Sequence, residues 1–219
     1  MTNLFKTSTL LLVCFLQFGC SKDDPKPIPE LNITEATIKF DEDVKFGVAN
    51  FSNVEWSSSD EFVGGINIYG IFSGRHVGEA TVTALVDGYT LTAKVVVEPS
   101  VTSFEEPLIN FGADVQTIKD HEKRNAYIEN SAYIIYNGRG THENHLTYYT
   151  FNGQMTGAII TFNNGQSIIQ DAVKFYTERY RYLGRLENGR IYYESADGSY
   201  RVFIGQNYAS YTKDPYPGT

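Results

Sequence analysis

The feature that most narrows the fold is a set of tight-turn dipeptides between short apolar stretches. Asn137-Gly138, Asn152-Gly153, Asn188-Gly189 and Asp197-Gly198 each separate aromatic-rich segments. Asn-Gly and Asp-Gly suit two-residue hairpins because both positions need positive φ. Earlier in the chain, residues 36–40, 80–86 and 91–97 alternate apolar and polar side chains. Gly64-Gly65, Gly70, Gly78 and Asp87-Gly88 punctuate them. No stretch of residues 31–98 carries a helical period, so that part reads as an all-β sandwich.

Residues 101–219 read differently. Asp114 can cap a helix over 115–124, and Ser167 with Gln170 has the spacing of a capping box. Behind the box, Ile169, Ala172, Val173, Tyr176 and Tyr180 share one helical face. The two helix starts lie 53 residues apart, and three strands are expected after each. The expectation is an α+β domain of two αβββ units, an antiparallel sheet with helices on one face. Its boundary falls near Glu98-Pro99-Ser100, where tyrosine usage changes: two of sixteen precede residue 100 and fourteen follow it.

The last strands allow a register to be written. With Asp197-Gly198 at a hairpin tip, Glu194 faces Arg201, Tyr193 faces Val202, Tyr192 faces Phe203 and Ile191 faces Ile204. A two-residue turn at Asn188-Gly189 then sets Leu186 against Ile191 and Arg185 against Tyr192. Side chains alternate faces along a strand. Leu186, Ile191, Tyr193, Tyr200, Val202 and Ile204 therefore form an apolar face for the helices. Arg185, Arg190, Tyr192, Glu194, Arg201 and Phe203 form the other face. Aromatic rings beside guanidinium groups are the side chains enriched at binding hot spots. Arg185, Arg190, Tyr192, Arg201 and Phe203 are thus a candidate binding face. The alternative is a solvated face held by one Glu194–Arg201 pair, with an arginine stacked on Tyr192. For residues 146–151 both faces carry large apolar groups and the choice stays open.

The N-terminus orders its residues as an export signal. Lys6 leads into an apolar run over residues 10–18, then Gly19-Cys20 and the polar Ser21-Lys22-Asp23-Asp24. Nine helical residues span only about 14 Å, too little for a membrane crossing. Pro25, Pro27 and Pro29 alternate in residues 21–30, which favours an extended tether reaching about 30 Å. Gly19-Cys20 resembles a bacterial lipobox, with Cys14 the competing site. The resemblance implies lipidation at Cys20 and attachment to a membrane. The acidic run after Cys20 resembles the tag that sends lipoproteins to the outer surface in one group of Gram-negative bacteria. Display on the outer membrane is expected from it.

Residues 54–60, then Ile71 to Ala84 with Gly74 and Gly78 flanking Arg75-His76-Val77, then a valine-rich strand, resemble a bacterial immunoglobulin-like domain of group 2. The match covers nearly all of 31–98. It implies a core aromatic at Trp56, an exposed turn around His76, and a role in display or adhesion. The αβββ layout, with the start Phe111-Gly-Ala-Asp, resembles small outer-membrane assembly lipoproteins and β-lactamase inhibitor proteins.

Signs of chemistry are few. The two cysteines are Cys14 and Cys20, so the mature chain has no thiol for a disulfide, metal site or nucleophile. His142-Glu143-Asn144-His145 lacks the i, i+4 spacing that puts two imidazoles on one helical face. There is no Gly-x-Ser-x-Gly elbow and no phosphate-cradling glycine loop. No cofactor or metal is expected. The net charge of −8 argues against nucleic acid. A non-enzymatic binding or adhesion lipoprotein is therefore expected, with a protein or glycan ligand. A polysaccharide-uptake accessory and an envelope-assembly subunit are the alternatives.

Overall fold

A computed structural model describes residues 27–187 and 189–213. The export signal, Cys20 and most of the tether lie outside the described residues. The described chain is mostly β, with three sheets and two short helices. None of these helices is long and apolar enough to cross a membrane.

Residues 35–98 supply two small sheets. The first has the order β1-β7-β6-β3, from β1 (Glu35–Lys39), β3 (Glu55–Ser58), β6 (Gly78–Val86) and β7 (Tyr89–Glu98). The second has the order β2-β5-β4, from β2 (Asp43–Lys45), β4 (Gly64–Ile66) and β5 (Ile71–Gly74). β1 runs parallel to β7 and the remaining pairs are antiparallel. Alternation on β6 and β7 sends Ala80, Val82, Ala93, Val95 and Val97 into one core with Phe46 and Phe72. Asp87 and Gly88 both take positive φ (48° and 81°), closing the β6–β7 hairpin at Val86 and Tyr89. Phe46 and Phe72 are the fully buried aromatics. Trp56, expected at the centre, is half-buried and packs 6.4 Å from Phe46.

Residues 115–212 form one eight-stranded antiparallel sheet and both helices. After α1 (Val115–His121) come β8 (Ala126–Glu129), β9 (Tyr133–Asn137), β10 (Glu143–Phe151) and β11 (Gln154–Phe162). After α2 (Gln166–Thr177) come β12 (Arg181–Arg185), β13 (Ile191–Glu194), β14 (Arg201–Ile204) and β15 (Tyr208–Thr212). Each helix is followed by four strands, one more than the turn signals indicate. The sheet order β12-β13-β14-β15-β11-β10-β9-β8 is palindromic, with the fourth strand of each set at the centre. Ile118 of α1 and Ala172, Phe175 and Tyr176 of α2 join one core with Leu146, Tyr148, Ile160, Val202 and Tyr211 of the sheet. Tyr176 and Tyr211 share a buried hydrogen bond of 2.8 Å.

Several local expectations are corrected. Asp114 does cap α1, its Oδ1 accepting the Thr117 N–H at 2.7 Å. The helix ends at His121 rather than 124, because Glu122 leaves helical geometry and accepts the N–H groups of Lys123 and Arg124. α2 begins at Gln166 with Gly165 as N-cap, so Ser167 lies inside the helix and the capping box does not form. Asn137-Gly138 is not a two-residue hairpin: Asn137 pairs with His145 and the chain loops through 138–142. Gly138 passes so close to Glu143 that a Cβ would meet its carbonyl. Asn152 and Gly153 do form the tight turn, with φ of 51° and 75°. A bulge between Tyr149 and Thr150 sets Thr150 against Met155. Leu146, Tyr148 and Met155 are buried there while Phe151 emerges 69% exposed, which answers the open question of the two faces.

Candidate functional site

The β13–β14 register is the expected one, from Ile191 opposite Ile204 to Glu194 opposite Arg201. The β12–β13 register differs by one residue. Leu186 N–H donates to Arg190 O, and Gly189, at φ 82°, donates to Leu186 O. The loop therefore has three residues, a turn followed by a left-handed glycine, instead of two. A one-residue slip reverses the facing of a strand. Arg185 stands opposite Ile191, on the helix side, and Gly184 takes its place opposite Tyr192. The candidate face loses Arg185. A bulge between Tyr182 and Gly184 then returns Arg181 to a position opposite Glu194.

On the face away from the helices, the pairings run one row across all eight strands: Gly184, Tyr192, Phe203, Ser210, Ile159, Thr147, Ile135 and Ile128. Tyr192 stacks on Phe203 at 5.6 Å and 28°, and the Arg190 guanidinium lies 5.4 Å over the Phe203 ring. Tyr192 is only 3% exposed, so it supports Phe203 rather than offering a free ring. Glu194 receives both Arg201 and Arg181, each at 3.3 Å. Of the five residues expected on this face, Arg190, Tyr192, Arg201 and Phe203 are brought together. Towards the β8 edge, Ile128, Tyr149 and Phe151 are exposed, and Tyr133 stands directly opposite Tyr149.

A second arrangement had no expectation attached to it. Residues 100–108 form a strap across the ends of both helices. Glu178, fully buried at the C-cap of α2, accepts the N–H groups of Ser100 (2.9 Å) and Val101 (3.2 Å) through Oε2. Its own carbonyl accepts the Val77 N–H at 2.7 Å. Arg179 donates to Val101 O, and Tyr180 donates to Glu106. Beside them, His76 stacks on Phe62 at 3.8 Å, its ring nitrogens 2.7 Å from Phe62 O and 3.2 Å from Tyr180 O. His76 is therefore half-buried at a joint, not exposed in a turn.

The far end of the strap is held by buried charge. Arg124 donates to both oxygens of Glu122 at 3.0 Å and to Glu143 at 2.9 Å, with all three side chains at most 2% exposed. Glu143 also accepts the Glu105 N–H, Arg124 reaches Glu105 O, and Tyr148 OH accepts the Leu108 N–H. Burial pushes the Glu122 carboxyl up, but the backbone hydrogen bond from Arg124 and its guanidinium outweigh burial and hold it low. Burial raises the Glu106 carboxyl, only partly offset by the Tyr180 hydroxyl and Arg179.

Glu122 and Glu178 are both helix C-caps with an arginine shortly after. A carboxylate there opposes the helix dipole, and its occurrence twice was the available sequence signal. The histidine cluster disperses: His142 meets Asp171 at 3.1 Å, Glu143 is committed to Arg124, and His145 lies across from Asn137 and Thr161. Among the described residues no group of three or more His, Cys, Asp or Glu could hold a metal ion.

On the helix side, a cavity of about 580 Å³ opens between α2 and the ends of β13 and β14. Arg185 and Arg190 stand among its lining residues. No protein-family model matches the chain, and no curated protein matches it.

Proposed function

We propose that this chain is a lipid-anchored binding protein of the outer membrane, attached through Cys20, displayed outward and without catalytic activity. In this reading residues 31–98 are an immunoglobulin-like domain of group 2 that serves as a stalk. Residues 101–219 are a separate α+β domain that carries the binding face. The observation that carries it is the outer face of the eight-stranded sheet. Both helices pack on the opposite side, while Phe151, Tyr149 and Ile128 stand exposed on the face with Phe203, Arg190 and Arg201. The exposed apolar group lies on β8 and β10, and the arginines with Phe203 lie at β13 and β14, towards the other edge of the same face. Exposed apolar patches, and arginines with aromatic rings, mark protein-interaction surfaces. The His76–Tyr180 and Glu178–Ser100 contacts support a fixed angle between stalk and face.

Protease shaving of intact cells tests display, and labelled fatty acid tests the anchor. The parent incorporates label and is cleaved from outside; Cys20→Ala does neither. Periplasmic protection of the parent would end the outward reading. A glycan ligand is the second reading, favoured by the facing pair Tyr133 and Tyr149. It predicts retardation in polysaccharide gels that Tyr149→Ala removes, whereas a protein ligand predicts capture that sugars do not compete.

A further inference from the structure

The slipped β12–β13 register has a chemical result on the helix side of the sheet. Ile191 and Ile204, directly paired on β13 and β14, line the 580 Å³ cavity, as do Ile169 and Val173, one helical turn apart on α2. Its volume lies within the usual range for small-molecule sites, which combine apolar walls with a few polar groups. Arg185, exposed at this cavity, stands opposite Ile191 and has no ion-pair partner among the described residues. Gln206 and Asn207 also line it, the Arg190 guanidinium is turned to Phe203 on the other face, and no Asp or Glu is among the described lining residues. On a chain of net charge −8 this is a local excess of positive charge over an apolar floor.

The other half of the sheet shows the compensated version. β8 holds the edge position that β12 holds at the opposite side, and its last residue, Glu129, is met by Lys119 of α1 at 2.7 Å. At the end of β12, Arg185 has no ion-pair partner among the described residues and borders the open cavity.

We propose that this cavity binds a small carboxylate with an apolar body. The carboxylate lies in the planar fork of Arg185, whose parallel N–H groups match two oxygens. The carbon skeleton lies on Ile169, Val173, Ile191 and Ile204. The site is on the opposite side of the sheet from the proposed recognition face, so the two readings fail separately.

Calorimetric titration of the purified chain with octanoate, octanamide and inorganic phosphate tests it. Octanoate binds, octanamide binds at least about tenfold more weakly, and phosphate does not bind, because the site needs both charge and apolar surface. Arg185→Gln weakens octanoate by about tenfold or more while its melting temperature stays at the parent value. Equal binding of octanoate and octanamide, phosphate binding as tight as octanoate, an unchanged affinity in Arg185→Gln, or no binding of octanoate would each overturn the proposal.

Discussion

Glu178 reaches across 78 positions of sequence to Ser100, its Oε2 accepting the Ser100 N–H at 2.9 Å. The same oxygen accepts the Val101 N–H. A helix C-cap thereby fixes the start of the strap that leads from the small sheets into the large one.

Removing that carboxylate leaves the buried Val101 N–H unpaired, at a cost of about 1–3 kcal/mol, and frees the more open Ser100 N–H at a smaller one. Glu178→Ala is expected to lose about 2–5 kcal/mol in urea denaturation and to open residues 99–104 to protease. Glu178→Gln keeps an acceptor oxygen and loses less. Equal stability of parent and alanine variant would remove Glu178 from this role.

Arg124 makes a harsher case. Its deletion strands Glu122 and Glu143 in the interior, where breaking one side of a buried pair costs about 3–5 kcal/mol. Arg124→Met is expected to show that loss in chemical denaturation. The triple replacement of Arg124, Glu122 and Glu143 by apolar residues of similar volume recovers most of it.

Glu106 sets a pH dependence of opposite sign to Glu122. Its folded carboxyl is raised by burial, so above the ordinary carboxylate range the unfolded chain gives up the proton more readily. This group's contribution is present at low pH and is lost as pH rises through the raised value. Glu122, held low, contributes above its unfolded value and loses that contribution as pH falls through the folded one. Glu106→Gln is therefore expected to gain stability relative to the parent at pH 7 and none at pH 4. Urea midpoints at the two pH values read this directly.

Tyr192 and Phe151 separate packing from recognition on one face. Tyr192 is buried beneath its neighbours, and Tyr192→Ala is expected to cost about 3–5 kcal/mol, as for other large core aromatics. Phe151 is open to solvent, and Phe151→Ala is expected to stay within about 0.5 kcal/mol of the parent while weakening partner capture. Unchanged capture by Phe151→Ala would move the contact surface elsewhere.

The strand pattern was legible where the alternation of apolar side chains admitted a single register. Glu194 faces Arg201 because the apolar residues of β13 and β14 admit one register, whatever the turn does. Indeed Gly198 is left-handed at φ 71° while Asp197 is not, yet the pairing stands. Asn188-Gly189 was not legible in the same way. A glycine there can close a two-residue loop or end a three-residue one, and the two choices put Arg185 on opposite faces. The Glu178 and Arg124 clusters carry no local pattern at all. Apart from Glu122 beside Arg124, they depend on residues brought from as far as 19 and 78 positions away, and only the misplaced acids at two helix ends hinted at them.

The palindromic strand order has the plan of a two-fold dimer written into one polypeptide. Either helix with its four strands, taken alone, would leave β11 or β15 as a bare border with unanswered amides. Joined end to end, the two halves cover that border with each other, Ile160 beside Ala209 and Ala158 beside Tyr211. What two separate molecules would gain only at sufficient concentration, this chain has at any dilution.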